Sequence, residues 1–429
     1  MQRVRALLES EMFVPVCLVL ALALRLVAVA LYPVAPMSDF KWYFDRATDI
    51  AAGRGVVFHG VPTAYWPIGY PFFLAAIFFV TGPSVLAAQL ANVILATGSL
   101  VLAHRLALRL SGSRLAAGIA LAILAFYPNQ IAYVALVANE SLVTFLLLAG
   151  IALLLRANDG RGRWLLFAAA GAVFGVACLT KPQTAVIPTV VIAWMAWRAR
   201  PPARTLAWRF LVVNAALAVV ILPWTIRNHQ VFGHTVFIAN SGGVNLYLGN
   251  NPDANGAYPP AEVEPKIAAA IHAGGGNEYE IDRRAGRMAL AYAAQHPLQE
   301  LVLVPKKIWN LYAKDADGLS WLEESEHAIG KLAHWKVLAQ LYYVGLGALF
   351  VAAVVRSRRG GAGTPRPDGL PLVIIVVFTA IYCVYFGQSR FHYPLMPWIA
   401  IYSGTFVAGL LRANVVAAEP SGSSVVAPA

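Results

Sequence analysis

The chain has 429 residues, 59% hydrophobic and only 13% charged, against about 25% charged in an average soluble domain. That excludes an ordinary soluble protein, and apolar runs of about 20 residues, each able to cross about 30 Å of hydrocarbon, predict an all-α polytopic membrane protein. The 33 Lys and Arg outnumber the 21 Asp and Glu for a formal charge of +12; the excess follows membrane topology, so no nucleic-acid partner is expected. Cys17, Cys178 and Cys383 all fall in apolar runs, which argues against a disulfide framework and a Cys-ligated metal.

In chain order, spans are predicted near 12–33, 84–104, 115–135, 138–155, 164–180, 183–197, 206–225, 333–355, 369–386 and 394–411, ten in all. The first is too long for a cleaved signal and lacks a small-residue cleavage site, so it reads as an anchored span. Residues 38–50 read as a short interfacial helix, with Ser38 or Asp39 as N-cap and Phe40, Tyr43, Phe44, Ala47 and Ile50 on one face. The apolar stretch 66–81 is short and opens with Pro67 and Pro71, which remove backbone donors. Charge decides its place. If it does not span, seventeen arginines in the N-terminus, 105–114, 156–163, 198–209, 356–366 and the tail all face the cytoplasm, as the positive-inside rule requires.

Both termini are then inside, and 34–83 and 226–332 face outward. Non-helical backbone around the two prolines implies a protein-lined cavity at the outer face. The Gly- and Asn-dense run 240–252 is predicted to be loop. Residues 278–296, stopped by Pro297, and 300–312 are predicted to be amphipathic interfacial helices. Residues 1–412 read as one membrane domain, followed by a disordered cytoplasmic tail, 413–429, rich in Ala, Ser, Pro and Val. There is no fixed-period repeat and no inverted pair of broken helices, which weighs against a secondary transporter.

Few residues stand out chemically. Asp39 is the first acidic residue outside the first span; as an N-cap alone it is worth about 0.5–2 kcal/mol. Glu140, at the outer end of the fourth span, is costly unless it faces a cavity or complements the helix dipole. Asp45 and Asp49 read as a solvated face. Lys181, Arg227 and Arg390, with His392 close by, are basic groups on the side where the topology rule expects few. Arg25 lies mid-span, at about 2.5–3.5 kcal/mol on insertion scales, and is expected to face the bundle and a structural partner. Interfacial belts account for most aromatic residues. Trp66, Tyr70, Tyr247 and Tyr393 are kept as rings able to stack on a sugar or pack on an isoprenoid chain.

Several motifs fall in a telling order: Asp39 after the first span, Tyr65-Trp66-Pro67-Ile68-Gly69-Tyr70-Pro71, Pro128-Asn129, Asn139-Glu140-Ser141-Leu142, Pro223-Trp224-Thr225-Ile226-Arg227-Asn228, the run 242–251, and Arg390-Phe391-His392-Tyr393-Pro394-Leu395-Met396-Pro397. This order resembles the GT-C superfamily of polytopic glycosyltransferases, in the bacterial branch related to protein O-mannosyltransferases and lipid A aminoarabinose transferases. The resemblance implies a GT-C-type helix bundle with about ten spans. It also implies inverting transfer of a sugar from a polyprenyl-phosphate donor to a lipid, glycan or protein acceptor, at the outer face of a bacterial cytoplasmic membrane.

Such a transfer needs a carboxylate for the acceptor proton and cations for the phosphate leaving group. On that reading Asp39 is the general base, Glu140 a second carboxylate, and Arg227, Arg390, Lys181 and His392 the donor-phosphate contacts. The residues assign no cofactor; there is no metal-ligand spacing such as paired histidines, and a divalent ion with Asp39 and Glu140 stays open. The chain departs from the aminoarabinose-transferase pattern where Tyr65 and Trp66 stand in place of a phosphate-binding lysine, and it lacks that subfamily's C-terminal soluble domain. Two alternatives remain: a lipid-linked-sugar flippase or transporter, which would hold ionisable residues mid-membrane where only Arg25 lies, and an O-antigen-ligase-like enzyme, which would need no carboxylate after the first span.

Overall fold

The computed structural model describes residues 2–32, 34–160, 164–325, 332–359 and 368–418. Among them the only strands are the paired two-residue segments Val57–Phe58 and Val61–Pro62; the rest of the regular structure is helical. Six helical stretches are long and apolar enough to cross a membrane: Phe13–Leu31, Val85–Ser111, Glu140–Asn158, Ala203–Phe232, Ala333–Ser357 and Ser389–Arg412. Shorter apolar helices, Gly69–Thr81, Arg114–Ala125, Trp164–Thr180 and Leu370–Val384, stand beside them. Val219, 67% exposed, and Ile94, 71% exposed, show that the outer surface of this bundle is suited to lipid, and the chain is a multi-pass membrane protein.

Proline places the breaks. The span expected across 115–135 stops at Ala125 and restarts as the short helix Pro128–Tyr133. Arg25 meets this break: its Nη1 donates to the Ala125 carbonyl at 3.1 Å and its Nη2 to the Leu124 carbonyl at 3.3 Å, satisfying acceptors a helix end leaves orphaned and opposing its dipole. That is the structural partner expected for a mid-span arginine. The span expected across 183–197 opens with a 3-10 turn, Pro182–Val186, before Ile187–Ala199. Gly171 and Gly175 let the Trp164–Thr180 helix touch Ala203–Phe232 backbone to backbone: a Cβ on Gly171 would stand 2.2 Å from the Val213 carbonyl oxygen.

Three local expectations are corrected. The cap of the Ser38–Ala51 helix is Met37, with no side-chain cap bond, so neither Ser38 nor Asp39 serves as N-cap. Asp49 is not on an open solvated face: it is half-buried, with Arg46 at 2.7 Å and Arg54 at 2.8 Å on its two oxygens. The loop expected at 240–252 contains a helix, Gly242–Gly249. Tertiary contact overrides its composition: Asp282 accepts the Val244 N–H at 3.0 Å, and a Cβ at Gly243 would come within 2.0 Å of the Asp282 carbonyl oxygen. Asn250 and Asn251 close the far end by donating to the Leu246 and Tyr247 carbonyls at 2.6 and 2.7 Å.

The two ends of the bundle differ in chemistry. Glu140 opens a 19-residue helix, about 28 Å long, whose other end meets Arg109 and Arg209: Arg109 forks onto Asp159 at 2.5 and 2.8 Å, and Arg209 donates to Asn158 at 2.8 Å. Arg109 and Arg209, from two arginine-rich segments, therefore meet at one end of this helix, and Glu140 stands at the other.

Candidate active site

At that second end four distant segments meet. Asp39 sits in the first turn of Ser38–Ala51, and its Oδ2 accepts from Arg390 Nη1 at 2.7 Å, with the two side chains 11% and 21% exposed. Glu140 is buried, and its Oε1 faces Lys181 Nζ at 3.8 Å. Lys181 is held extended, with φ −149° and ψ 100°, because it precedes Pro182 and ends the Trp164–Thr180 helix. Burial pushes its ammonium pKa below the usual lysine range, with Glu140 and Asp39 opposing and Arg390 reinforcing that shift. The mutual influence makes the two ion pairs one cluster. Phe391 contributes its ring to both cations, 5.3 Å from Lys181 Nζ and 5.7 Å from the Arg390 guanidinium carbon, a geometry that favours desolvated cations.

Aromatic side chains wall the cluster. The Tyr43 hydroxyl accepts from Asn139 Nδ2 at 3.1 Å, and its ring meets Tyr70 edge-on at 5.6 Å and tilts against Trp66 at 6.3 Å. Tyr133 and Tyr382 lie within electrostatic reach of Glu140 and Arg390. Among the described residues, the Tyr133 and Tyr382 hydroxyls, Glu140 Oε2 and Arg390 Nε are buried without a hydrogen-bond partner. These four lie around one pair of ion pairs, where a polar ligand would meet free donors and acceptors. One residue past Glu140 and three past Arg390, Ser141 and Tyr393 also line a cavity with Arg25, Gln130 and Thr144.

Of the residues singled out from sequence, Asp39, Glu140, Lys181 and Arg390 come together, with Trp66, Tyr70 and Tyr393 around them. The Tyr70 hydroxyl is committed to Asn92 Oδ1 at 3.3 Å, and the Tyr393 ring packs on Tyr133 at 4.9 Å. Arg227 lies elsewhere: its Nη1 and Nη2 donate to the Thr63 and Val56 carbonyls, both at 3.0 Å, and it covers Trp224 at 4.7 Å. His392 is fully buried against Leu311 and Asp315, and Tyr247 belongs to a separate cluster with Val244, Ile267 and Ile271. Tyr133 and Tyr382 escape sequence reasoning, because a tyrosine in an apolar run looks like any core aromatic. No group of three or more His, Cys, Asp or Glu side chains among the described residues could hold a metal ion, and both carboxylates of the cluster already face cations.

The family described as dolichyl-phosphate-mannose-protein mannosyltransferase matches residues 66–226. No curated protein matches by sequence. Among solved structures, the archaeal oligosaccharyltransferase AglB from Archaeoglobus fulgidus, in complex with an inhibitory peptide and a dolichol-phosphate, superposes with a TM-score of 0.54 at 15% identity, over 96% of this chain and 53% of that one. The Archaeoglobus fulgidus oligosaccharyltransferase tethered to an acceptor peptide gives 0.58 at 14% identity, over 95% and 51%. ArnT from Cupriavidus metallidurans bound to undecaprenyl phosphate scores 0.45 at 14% identity, over 95% and 80%, too loose to carry residues across. The chain thus shares the fold of the membrane part of these oligosaccharyltransferases, and spans about half their length.

Proposed function

We propose that the protein is a GT-C glycosyltransferase that moves a sugar from a polyprenyl-phosphate-linked donor to a lipid, glycan or protein acceptor, with inversion at the anomeric carbon. The observation that carries this reading is the pair of carboxylate–cation contacts, Asp39–Arg390 and Glu140–Lys181, set side by side at one end of an apolar bundle. We place the site at the outer face of a bacterial cytoplasmic membrane: Arg109 and Arg209 stand at the opposite end of the Glu140–Asn158 helix, which supports that orientation.

The chemistry follows from the charges. In the free protein Arg390 is occupied by Asp39. A donor phosphodiester offers the guanidinium fork two oxygens and the same single charge as the carboxylate, and it gains a second charge as the sugar leaves, so the exchange favours the transition state. It takes Arg390, with Lys181 as second cation, and frees Asp39. The acceptor hydroxyl then attacks the anomeric carbon from the face opposite the phosphate. As the new C–O bond forms, its proton passes to Asp39 and the bond from the anomeric carbon to the phosphate oxygen breaks. Polyprenyl phosphate leaves with its added charge held by Arg390 and Lys181. Glu140 keeps Lys181 in place and offsets part of the cationic excess. On this reading Arg227 and His392 are not donor-phosphate contacts: Arg227 is turned to the Thr63 and Val56 carbonyls and His392 Nδ1 to the Leu311 carbonyl.

The test is purified protein with an undecaprenyl-phosphate-linked sugar and candidate envelope acceptors. Release of undecaprenyl phosphate with the sugar on a new acceptor is expected. Translocation of intact lipid without release would reject transfer. Mass comparison of lipid A, glycolipids and glycoproteins between a deletion strain and its parent identifies the acceptor.

A further inference from the structure

Arg390 rides on a short 3-10 segment, Ser389–Leu395, and such turns fix a side chain poorly by their own hydrogen bonds. The residues flanking it are held instead by the stretch that follows the Pro297–Tyr312 helix. Ser389 donates its hydroxyl to Asp317. His392 pairs Nδ1 with the Leu311 carbonyl at 2.6 Å, and its Nε2 stands at ion-pair distance, 3.3 Å, from Asp315 Oδ1 without hydrogen-bond geometry. The rings of Tyr312 and Tyr343 stack on it at 5.8 and 5.1 Å. Asp315 is in turn anchored: Tyr127 and Asn129 donate to its carboxylate, its N–H donates to Gln340 Oε1 at 3.0 Å, and the Gly318 N–H donates to Asn129 at 2.8 Å.

A buried carboxylate at Asp315 and a half-buried one two residues on at Asp317 are expensive, and for stability alone an apolar pair of the same shape serves as well or better. What charged contacts add is direction, and these two grip the 3-10 segment on either side of Arg390. We propose that Asp315 and Asp317 are positioning residues for sugar transfer: acting through His392 and Ser389, they fix the backbone from which Arg390 reaches its ligand. This rests on the role given to Arg390 above and extends it, making the 313–318 stretch of the second outward segment part of the machinery.

A double-mutant cycle tests the coupling. Asp315→Asn keeps the shape and removes the charge facing His392, and Ser389→Ala releases the Asp317 contact; each is measured in the parent and in an Arg390→Gln background, as kcat/KM for the polyprenyl-phosphate sugar. In the parent, Asp315→Asn is expected to lower kcat/KM about 10- to 100-fold, the scale of a misplacement of about 1 Å, and Ser389→Ala by less. With Arg390 already gone, neither should lower it further. Equal losses in both backgrounds would overturn the positioning role and leave the function standing. Parental activity of Arg390→Gln alone would instead overturn the phosphate role, and positioning with it. Should Asp315→Asn fail to fold, the Ser389→Ala arm decides by the same comparison.

Discussion

Asp39→Asn separates the two duties assigned to this carboxylate. It keeps the side chain's shape, removes the proton acceptor and strips Arg390 of the partner 2.7 Å away. As a general base its loss should cut turnover about 100- to 10,000-fold. Stability should fall as well. Breaking a fully buried ion pair costs about 3–5 kcal/mol; here the side chains are 11% and 21% exposed and Glu140 still acts on the guanidinium, so a cost below about 3 kcal/mol is expected. Competition between Asp39 and phosphate adds a sharper signature. In the variant an incoming phosphate no longer has to displace a carboxylate, so polyprenyl phosphate should raise the melting temperature of Asp39→Asn by more than it raises that of the parent. The assays are release of polyprenyl phosphate from the labelled donor and thermal unfolding in detergent, with and without polyprenyl phosphate. Parental turnover beside a lowered melting temperature would reduce Asp39 to an ion-pair partner, and equal phosphate-induced shifts would refute the exchange.

Arg390→Lys retains charge but loses the planar fork; turnover should drop sharply in protein that still inserts, and near-parental activity would return this arginine to a structural role. Glu140→Gln leaves Lys181 without its carboxylate 3.8 Å away and should reduce turnover less than Asp39→Asn; the opposite ranking, measured side by side, would make Glu140 the base. Gly69→Ala would place a Cβ 2.3 Å from Thr180 Oγ1 and 2.6 Å from the Thr180 nitrogen, so overpacking of about 1–3 kcal/mol should appear as lower thermal stability together with slower turnover, because the strained residue precedes Lys181. For orientation, an exposed Glu262→Cys should react with an impermeant maleimide in intact cells and Arg114→Cys only after permeabilisation; labelling of the latter in intact cells would invert the assignment.

How much of this can be read from sequence depends on whether a property is local. Hydrophobic length is local, and so the long helices lie close to the expected spans; the breaks at Pro128 and Pro182 follow from proline once its partners are seen. A charge at a membrane edge is also a local anomaly, which is why Asp39, Glu140, Lys181 and Arg390 stand out singly. Their pairing is not local: 351 positions separate Asp39 from Arg390, and nothing in either segment announces the other. The same signal marks Arg227 and His392, yet Arg227 is turned to the carbonyls of Val56 and Thr63 and His392 to Leu311 and Asp315. An unexpected cation therefore indicates that some acceptor is near, and only the fold says whether that acceptor is backbone, carboxylate or ligand. The run 240–252 fails for the related reason that Gly and Asn predict loop only where no neighbour supplies the missing contacts, and Asp282 supplies them. Tyr133 and Tyr382 mark the limit of pattern reading: what distinguishes them from core aromatics is an unpartnered hydroxyl near Glu140 and Arg390, a fact that belongs to three helices and a 3-10 segment at once.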